Sequence, residues 1–131
     1  MGKLDVHFSS ASEEWATPAD LYADLHAEFG FTLDPCPLGG GVDGTSPLFM
    51  PWRGERVFCN PPYGRKETAF LRRAQEAELA VFLLPARTDT KRFHEIILPY
   101  AKEIRFIKGR LRFSGAKTGA PFPSMIVIFK K

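Results

Sequence analysis

What this chain has little of narrows its possibilities first. Only two of its 131 residues are cysteines, Cys36 and Cys59, and their spacing fits no metal-binding pair. That argues against a disulfide scaffold and a zinc site, and suits a reducing cytoplasm. No run approaches the roughly 18 apolar residues of a membrane-spanning helix. The opening MGKLDVHFSS lacks the apolar stretch of an export signal. Gly2 is present, but Val6 stands where a myristoylation signal has Ser or Thr, so no lipid anchor is expected. Internal repeats and low-complexity tracts are missing too. Basic residues are nearly absent from positions 1–52, where Lys3 stands alone against eight acids, a net charge of −7. Residues 53–131 carry 17 basic residues against seven acids, a net charge of +10. The split points to a polyanion partner for the second half. The plainer alternative is that these cations solvate helices once folding interleaves the halves.

What is present is ordinary globular material. Hydrophobic residues make up 44% and charged residues 25%, and the length suits one domain with one core. Residues 1–14 read as a flexible N-terminal arm and 15–131 as a single domain. Thr17-Pro18-Ala19-Asp20 is a helix start, with Thr17 as N-cap and Pro18 at the first helical position. Leu21, Leu25 and Phe29 repeat at helical spacing until Gly30 ends the helix. Phe31-Thr32-Leu33 predicts a short strand, stopped by Asp34-Pro35. Cys36–Pro51 is a glycine- and proline-rich loop longer than a connection needs, and such loops tend to be functional.

Arg56–Cys59 predicts a second strand, Glu67–Glu78 a charged helix, and the apolar run Leu79–Leu84 a central strand buried on both faces. A helix around Thr90–Leu98 and strands at Glu103–Ile107, Arg110–Phe113 and Ser124–Phe129 complete the pattern. Strands alternating with helices predict an α/β sheet covered on both faces. In such sheets ligands gather beyond the carboxyl ends of the parallel strands. Three strand ends there carry polar or rigid residues: Asp34-Pro35, Asn60-Pro61-Pro62-Tyr63, and Pro85-Ala86-Arg87-Thr88-Asp89.

The second of these ends is the most informative. Two prolines remove two backbone donors and fix two φ angles, so the strand stops and a polar amide and an aromatic ring are pinned on a stiff turn. A simple strand-ending turn would do with less. An exocyclic amine on an aromatic base is a poor nucleophile, because its lone pair is delocalised into the ring. A site that transfers a group to it must accept both N–H hydrogens. Asn60 Oδ1 and the Pro61 carbonyl are two such acceptors on one fixed turn, and Tyr63 offers a stacking face for a base.

Asn60-Pro61-Pro62-Tyr63 resembles motif IV of the S-adenosylmethionine-dependent amino-methyltransferases. With Trp15-x-Thr17-Pro18, FGFTLDPCP (Phe29–Pro37), Pro51-Trp52-x-Gly54, LLPARTDT (Leu83–Thr90) and GRLRF (Gly109–Phe113), the chain resembles the phage DNA N-6-adenine-methyltransferase family, the small Dam-like enzymes, from about Trp15 to Phe129. The resemblance implies a reduced Rossmann-like class I methyltransferase sheet, mostly parallel, with helices on both faces. It implies methyl transfer from S-adenosylmethionine to the N6 amine of adenine in double-stranded DNA, without metal or membrane, in the cytoplasm of a bacterial host. It assigns catalysis to Asn60, Pro61, Pro62 and Tyr63. Cofactor contacts would come from Thr17, Pro18, Asp34, Pro35 and Cys36, with Asp43 toward the adenosine. Phe113, in the place of motif VIII, would take the other face of the adenine. Two features depart from the pattern. The F-x-G-x-G type cofactor loop is absent, Gly39-Gly40-Gly41 having the wrong spacing from Asp34, and no separate target-recognition domain is present.

Arg65, Arg87 and Lys91 follow strand ends and are read as facing a phosphate backbone, whereas Arg72, Arg73 and Arg105 fit solvated faces equally well. Trp52, Tyr22, Leu25 and Phe29 read as packing residues, the cysteines as small buried hydrophobes. His7, His26 and His94 show no partner pattern. The rival readings are an NPPY-type methyltransferase of RNA or protein glutamine, and a catalytically silent nucleic-acid-binding module.

Overall fold

A computed structural model describes residues 16–36, 51–113 and 118–131. Its elements follow the punctuation of the sequence. Helix α1 spans Ala19–Phe29 and ends where Gly30 turns left-handed at φ 62°, its N–H donating to the His26 carbonyl. Strand β1 is Arg56–Cys59, helix α2 Arg65–Arg72 with a 3-10 turn at Ala74–Glu76, and strand β2 Leu79–Pro85. A helical stretch from Lys91 follows, with a π segment at Phe93–Ile97 leading into α3, Leu98–Tyr100. Strands β3 (Glu103–Phe106) and β4 (Ser124–Lys130) close the sheet.

The strand order is β1-β2-β4-β3. β1 and β2 pair in parallel, while β4 pairs antiparallel with both β2 and β3. The expected mostly parallel sheet is thus corrected: its strand pairs are mostly antiparallel, with one parallel pair. The reason is the insertion of β4, which reverses every pairing it enters although β1, β2 and β3 all run the same way. An apolar run such as SMIVIF records burial, not direction. The strand expected at Phe31–Leu33 shrinks to a single parallel bridge, Leu33 to Val57. The strand expected at Arg110–Phe113 does not form; Leu111 there accepts the Ala120 N–H at 2.8 Å outside any ladder.

Two apolar clusters flank the sheet. On one face Val57, Cys59, Phe82, Leu84, Val127 and Phe129 pack beneath α2 and the π segment through Phe70, Leu71, Phe93 and Ile97. On the other, Phe58, Leu79, Val81, Leu83, Ile126 and Ile128 pack against Leu25 of α1, with Phe113 and Phe122 beside them. All seven β2 residues are buried, as an apolar run between two neighbours requires. Trp52 is fully buried, the packing role its sequence context suggested. Arg73 is not on a solvated face: it is 4% exposed, lies 4.7 Å from the Trp52 ring centre and pairs with Glu76 at 2.8 Å. Arg105 is half-buried and bonded to Glu28 and Glu103. No helix among the described residues is long and apolar enough to cross a membrane.

Candidate active site

Because β1 and β2 run in parallel and Leu33 bridges to β1 in the same sense, Asp34, Asn60 and Ala86 all leave the sheet at one end. The N-terminus of α1 arrives at that end as well. Thr17 does not cap α1; Pro18 occupies the N-cap position, and no side chain bonds there. The Thr17 hydroxyl oxygen instead accepts from Asn60 Nδ2 at 2.9 Å. On the other side of the same amide, the Tyr63 hydroxyl donates to Asn60 Oδ1 at 3.1 Å. The half-buried amide is therefore held at both ends, by an element 43 residues away in sequence and by its own turn. Pro61 is buried and Pro62 half-buried, which fixes the backbone between them.

Tyr63 is half-buried, with its ring packed edge-on to Phe122 at 5.6 Å between centroids. Burial, and then the negative charge of Glu67, push its phenol above the usual value, so the hydroxyl stays a donor. Phe122 in turn meets Phe113 at 6.1 Å, and the Arg87 guanidinium lies 5.9 Å from the centre of the Phe122 ring. Phe113 is 2% exposed and stands one ring removed from Tyr63. Neither Phe122 nor Glu67 was signalled by the sequence. Phe122 sits between two prolines in a stretch with no periodicity, and Glu67 looks like any acid in a first helical turn.

Asp34 follows the Leu33 bridge. Its Oδ1 accepts the Cys36 N–H at 3.0 Å, a local turn closed within three residues. The side chain is open to solvent on one side and crowded on the other. Burial of that inner side raises its pKa, and the Cys36 N–H only partly opposes the rise. Cys59, fully buried, has its thiol pushed well up by burial and then by Cys36 and Asp34, which lie close by. Cys36 and Cys59 are not joined in a disulfide.

The sequence candidates therefore divide. Thr17, Asn60, Pro61, Pro62 and Tyr63 come together as one bonded unit, with Pro18 buried at the base of α1. Asp34, Pro35 and Cys36 form the neighbouring turn, and Arg87 reaches the site through Phe122. Arg65 is exposed at the start of α2. Lys91 opens elsewhere, into a groove of about 450 Å³ between α2 and the following helix, with Thr68, Arg72 and Glu95. Asp43 and Gly39-Gly40-Gly41 lie outside the described residues. Among the described residues no three His, Cys, Asp or Glu side chains gather in a metal-holding group.

A rigid amide acceptor beside a carboxylate turn, at the carboxyl ends of parallel strands, is suited to holding an amine near a cationic group. No curated protein and no solved structure matches the chain. A family model described as DNA N-6-adenine-methyltransferase (Dam) matches residues 7–131, and the chain belongs to that family.

Proposed function

We propose that the protein transfers a methyl group from S-adenosylmethionine to the N6 amine of adenine in duplex DNA, using the turn Asn60–Tyr63. The observation that carries this is the Asn60 amide, oriented by Thr17 on one side and Tyr63 on the other. A carbonyl oxygen has two lone pairs. One accepts from Tyr63, and an amine N–H would take the second while the Pro61 carbonyl takes the other N–H. Drawing both hydrogens aside localises the nitrogen lone pair for attack. The N–C bond that forms would replace the methyl–sulfur bond of the sulfonium, leaving a neutral thioether. The nitrogen's surplus proton would pass along its hydrogen bond at the Asn60 or Pro61 carbonyl to water. The acceptors do not have to reorganise during the reaction, which is the usual source of electrostatic rate enhancement. The amine is out of reach inside a stacked duplex, so the base is extruded, and the Tyr63 ring is the surface on which it would rest.

The cofactor, when bound, supplies an electrophilic methyl on a sulfonium centre. Asp34 fits that partner: a carboxylate whose charge is disfavoured by its surroundings gains from an adjacent cation, and its outer side is open. Thr17, Pro18, Pro35 and Cys36 border the same strand ends, and Asp43 is assigned to the adenosine by resemblance. Three strands running one way, with helices on both faces, are consistent with a reduced Rossmann-like sheet. Arg65 and Arg87 flank the turn and are assigned to the phosphate backbone, with Lys91 further out in its groove.

The test is incubation with methyl-labelled S-adenosylmethionine and, separately, duplex DNA, RNA and a protein mixture. Label in DNA, recovered as N6-methyladenine, is the expected result. Label in RNA or glutamine would replace the substrate in this reading, and no label with intact cofactor binding would leave a silent binding module.

A further inference from the structure

Glu67 and Arg92 form an ion pair that the reaction as outlined does not use. The carboxylate is 4% and the guanidinium 23% exposed, with Arg92 Nη1 and Glu67 Oε2 at 3.1 Å. Glu67 stands in the first turn of α2, and Arg92 on the helical stretch after β2. Both grip the same residue. Arg92 Nη2 donates to the Gly64 carbonyl at 3.3 Å, and its Nε donates to Thr68 Oγ1 at 3.2 Å. The Glu67 N–H also donates to the Gly64 carbonyl, at 3.2 Å, through the backbone of the first turn of α2. Gly64 has φ 106° and ψ −138°, a backbone state that side-chain-bearing residues rarely adopt. It directly follows Tyr63.

A packing role does not account for this pair. The helices it joins are already packed through Phe70, Leu71, Phe93 and Ile97 in one apolar cluster. Buried ion pairs add little net stability, because desolvation offsets their attraction, and well-packed apolar replacements are often as stable or more so. What the pair adds is a side-chain bond from Arg92 to the Gly64 carbonyl, with the Arg92 fork held by Glu67, which fixes the chain where Tyr63 leaves it. Tyr63 then holds Asn60 Oδ1.

We propose that Glu67 and Arg92 are a positioning pair, which clamps Gly64 and thereby sets the Tyr63 hydroxyl and the Asn60 amide in register for the amine. This rests on the methyltransferase reading above. The clamp also makes the helical stretch after β2 a participant in the geometry of the turn after β1, since Arg92 belongs to the former.

The experiment compares the unmodified protein with Arg92→Lys, Arg92→Ala, Glu67→Gln and the apolar double variant Glu67→Leu/Arg92→Met. Three quantities are read: the melting temperature, the affinity for S-adenosylmethionine, and the single-turnover methylation rate. A fourth is amide hydrogen exchange at Gly64 and the side-chain NH₂ of Asn60, followed by NMR. The double variant is expected to melt as high as the unmodified protein and bind cofactor unchanged. Its rate should fall by about ten- to a hundredfold, as small misplacements of reacting groups do, and its Gly64 amide should exchange faster. Arg92→Lys, which keeps the charge but loses the fork, should fall between. Millimolar guanidinium should restore part of the rate lost in Arg92→Ala, a rescue that a general folding defect would not show. Unchanged exchange at Gly64 and Asn60 in folded variants overturns the clamp whatever the activity. Faster exchange with no methylation by the unmodified protein would keep the clamp and sink the reading it serves.

Discussion

Two turns leave neighbouring strand ends, and each begins with a polar residue followed by proline, yet they are built oppositely. Asn60 is braced from outside its turn: Thr17 comes from the start of α1, and Arg92 acts from beyond β2 through Gly64. Among the described residues, Asp34 is held only by the N–H of Cys36, two residues on, and its outer side faces solvent. The difference follows from the partner each would meet. A neutral acceptor exerts its effect through direction, which decays quickly with misalignment, so it is immobilised. A carboxylate acts on a cation through charge, which tolerates looser placement, so a local turn is enough.

Removing each head group tests that contrast most directly. Asn60→Ala should cut single-turnover methylation by roughly a hundred- to a thousandfold, the loss typical of one preorganised polar group, while calorimetry finds cofactor affinity nearly unchanged. Asp34→Ala should show the reverse, with cofactor affinity weakened by about 1.5–3 kcal/mol, the range for hydrogen bonds to a charged group. A rate loss without an affinity loss at Asp34 would erase the distinction between the turns.

Asp34 also carries a pH signature. Its raised pKa means that the folded state holds the proton more tightly than the unfolded chain does. Its contribution to stability is therefore fully present below the ordinary carboxylate value of 3.8 and is lost as pH rises through the raised one. Asp34→Asn should remove that decline, so at neutral pH the cofactor-free variant should melt no lower than the unmodified protein while binding cofactor more weakly. A scan of melting temperature against pH checks the sign.

Smaller effects sharpen the braced side. Tyr63→Ala removes both stacking face and donor, and should weaken the productive DNA complex by roughly 1–3 kcal/mol per stacked base, seen as a higher KM for DNA. Tyr63→Phe and Thr17→Val each delete one bond to the Asn60 amide and keep its neighbours' bulk. Losses of about two- to tenfold in rate correspond to a single neutral hydrogen bond. Equal damage from Phe and Ala at position 63 would make the hydroxyl, not the ring face, the working part. Charge reversal at Arg65 or Arg87 should lower the slope of log K against log salt by about one each.

How much of this was legible in the sequence depends on how local each signal is. The NPPY turn announces itself because two prolines directly after a short apolar run force the strand to end in a stiff turn. Gly30 and the LAVFLL run are local signals of the same kind. The reversal of β4 was not legible, since burial leaves the same apolar pattern in either direction. Nor was the capture of Thr17: a threonine before proline fits an N-cap, and only the arrival of Asn60 redirects its hydroxyl. Glu67 and Arg92 are 25 residues apart on different elements, each resembling a solvated helix charge until folding buries the pair. Arg73 escapes a sequence reading in the same way, its burial against Trp52 having no trace in its neighbours.

The position of β4 bears on how the molecule is made. Its register joins every residue of β2 to a partner in the last stretch of chain, Leu79 to Lys130 through Pro85 to Ser124. Ribosomes add about 5–20 residues per second, so β2 waits some seconds before its second neighbour exists. During that interval one of the most apolar segments in the chain has an open edge, the state in which strands recruit other strands. A ribosome that stops short of Ser124 would therefore release an aggregation-prone fragment, a burden for chaperones, rather than a slow enzyme.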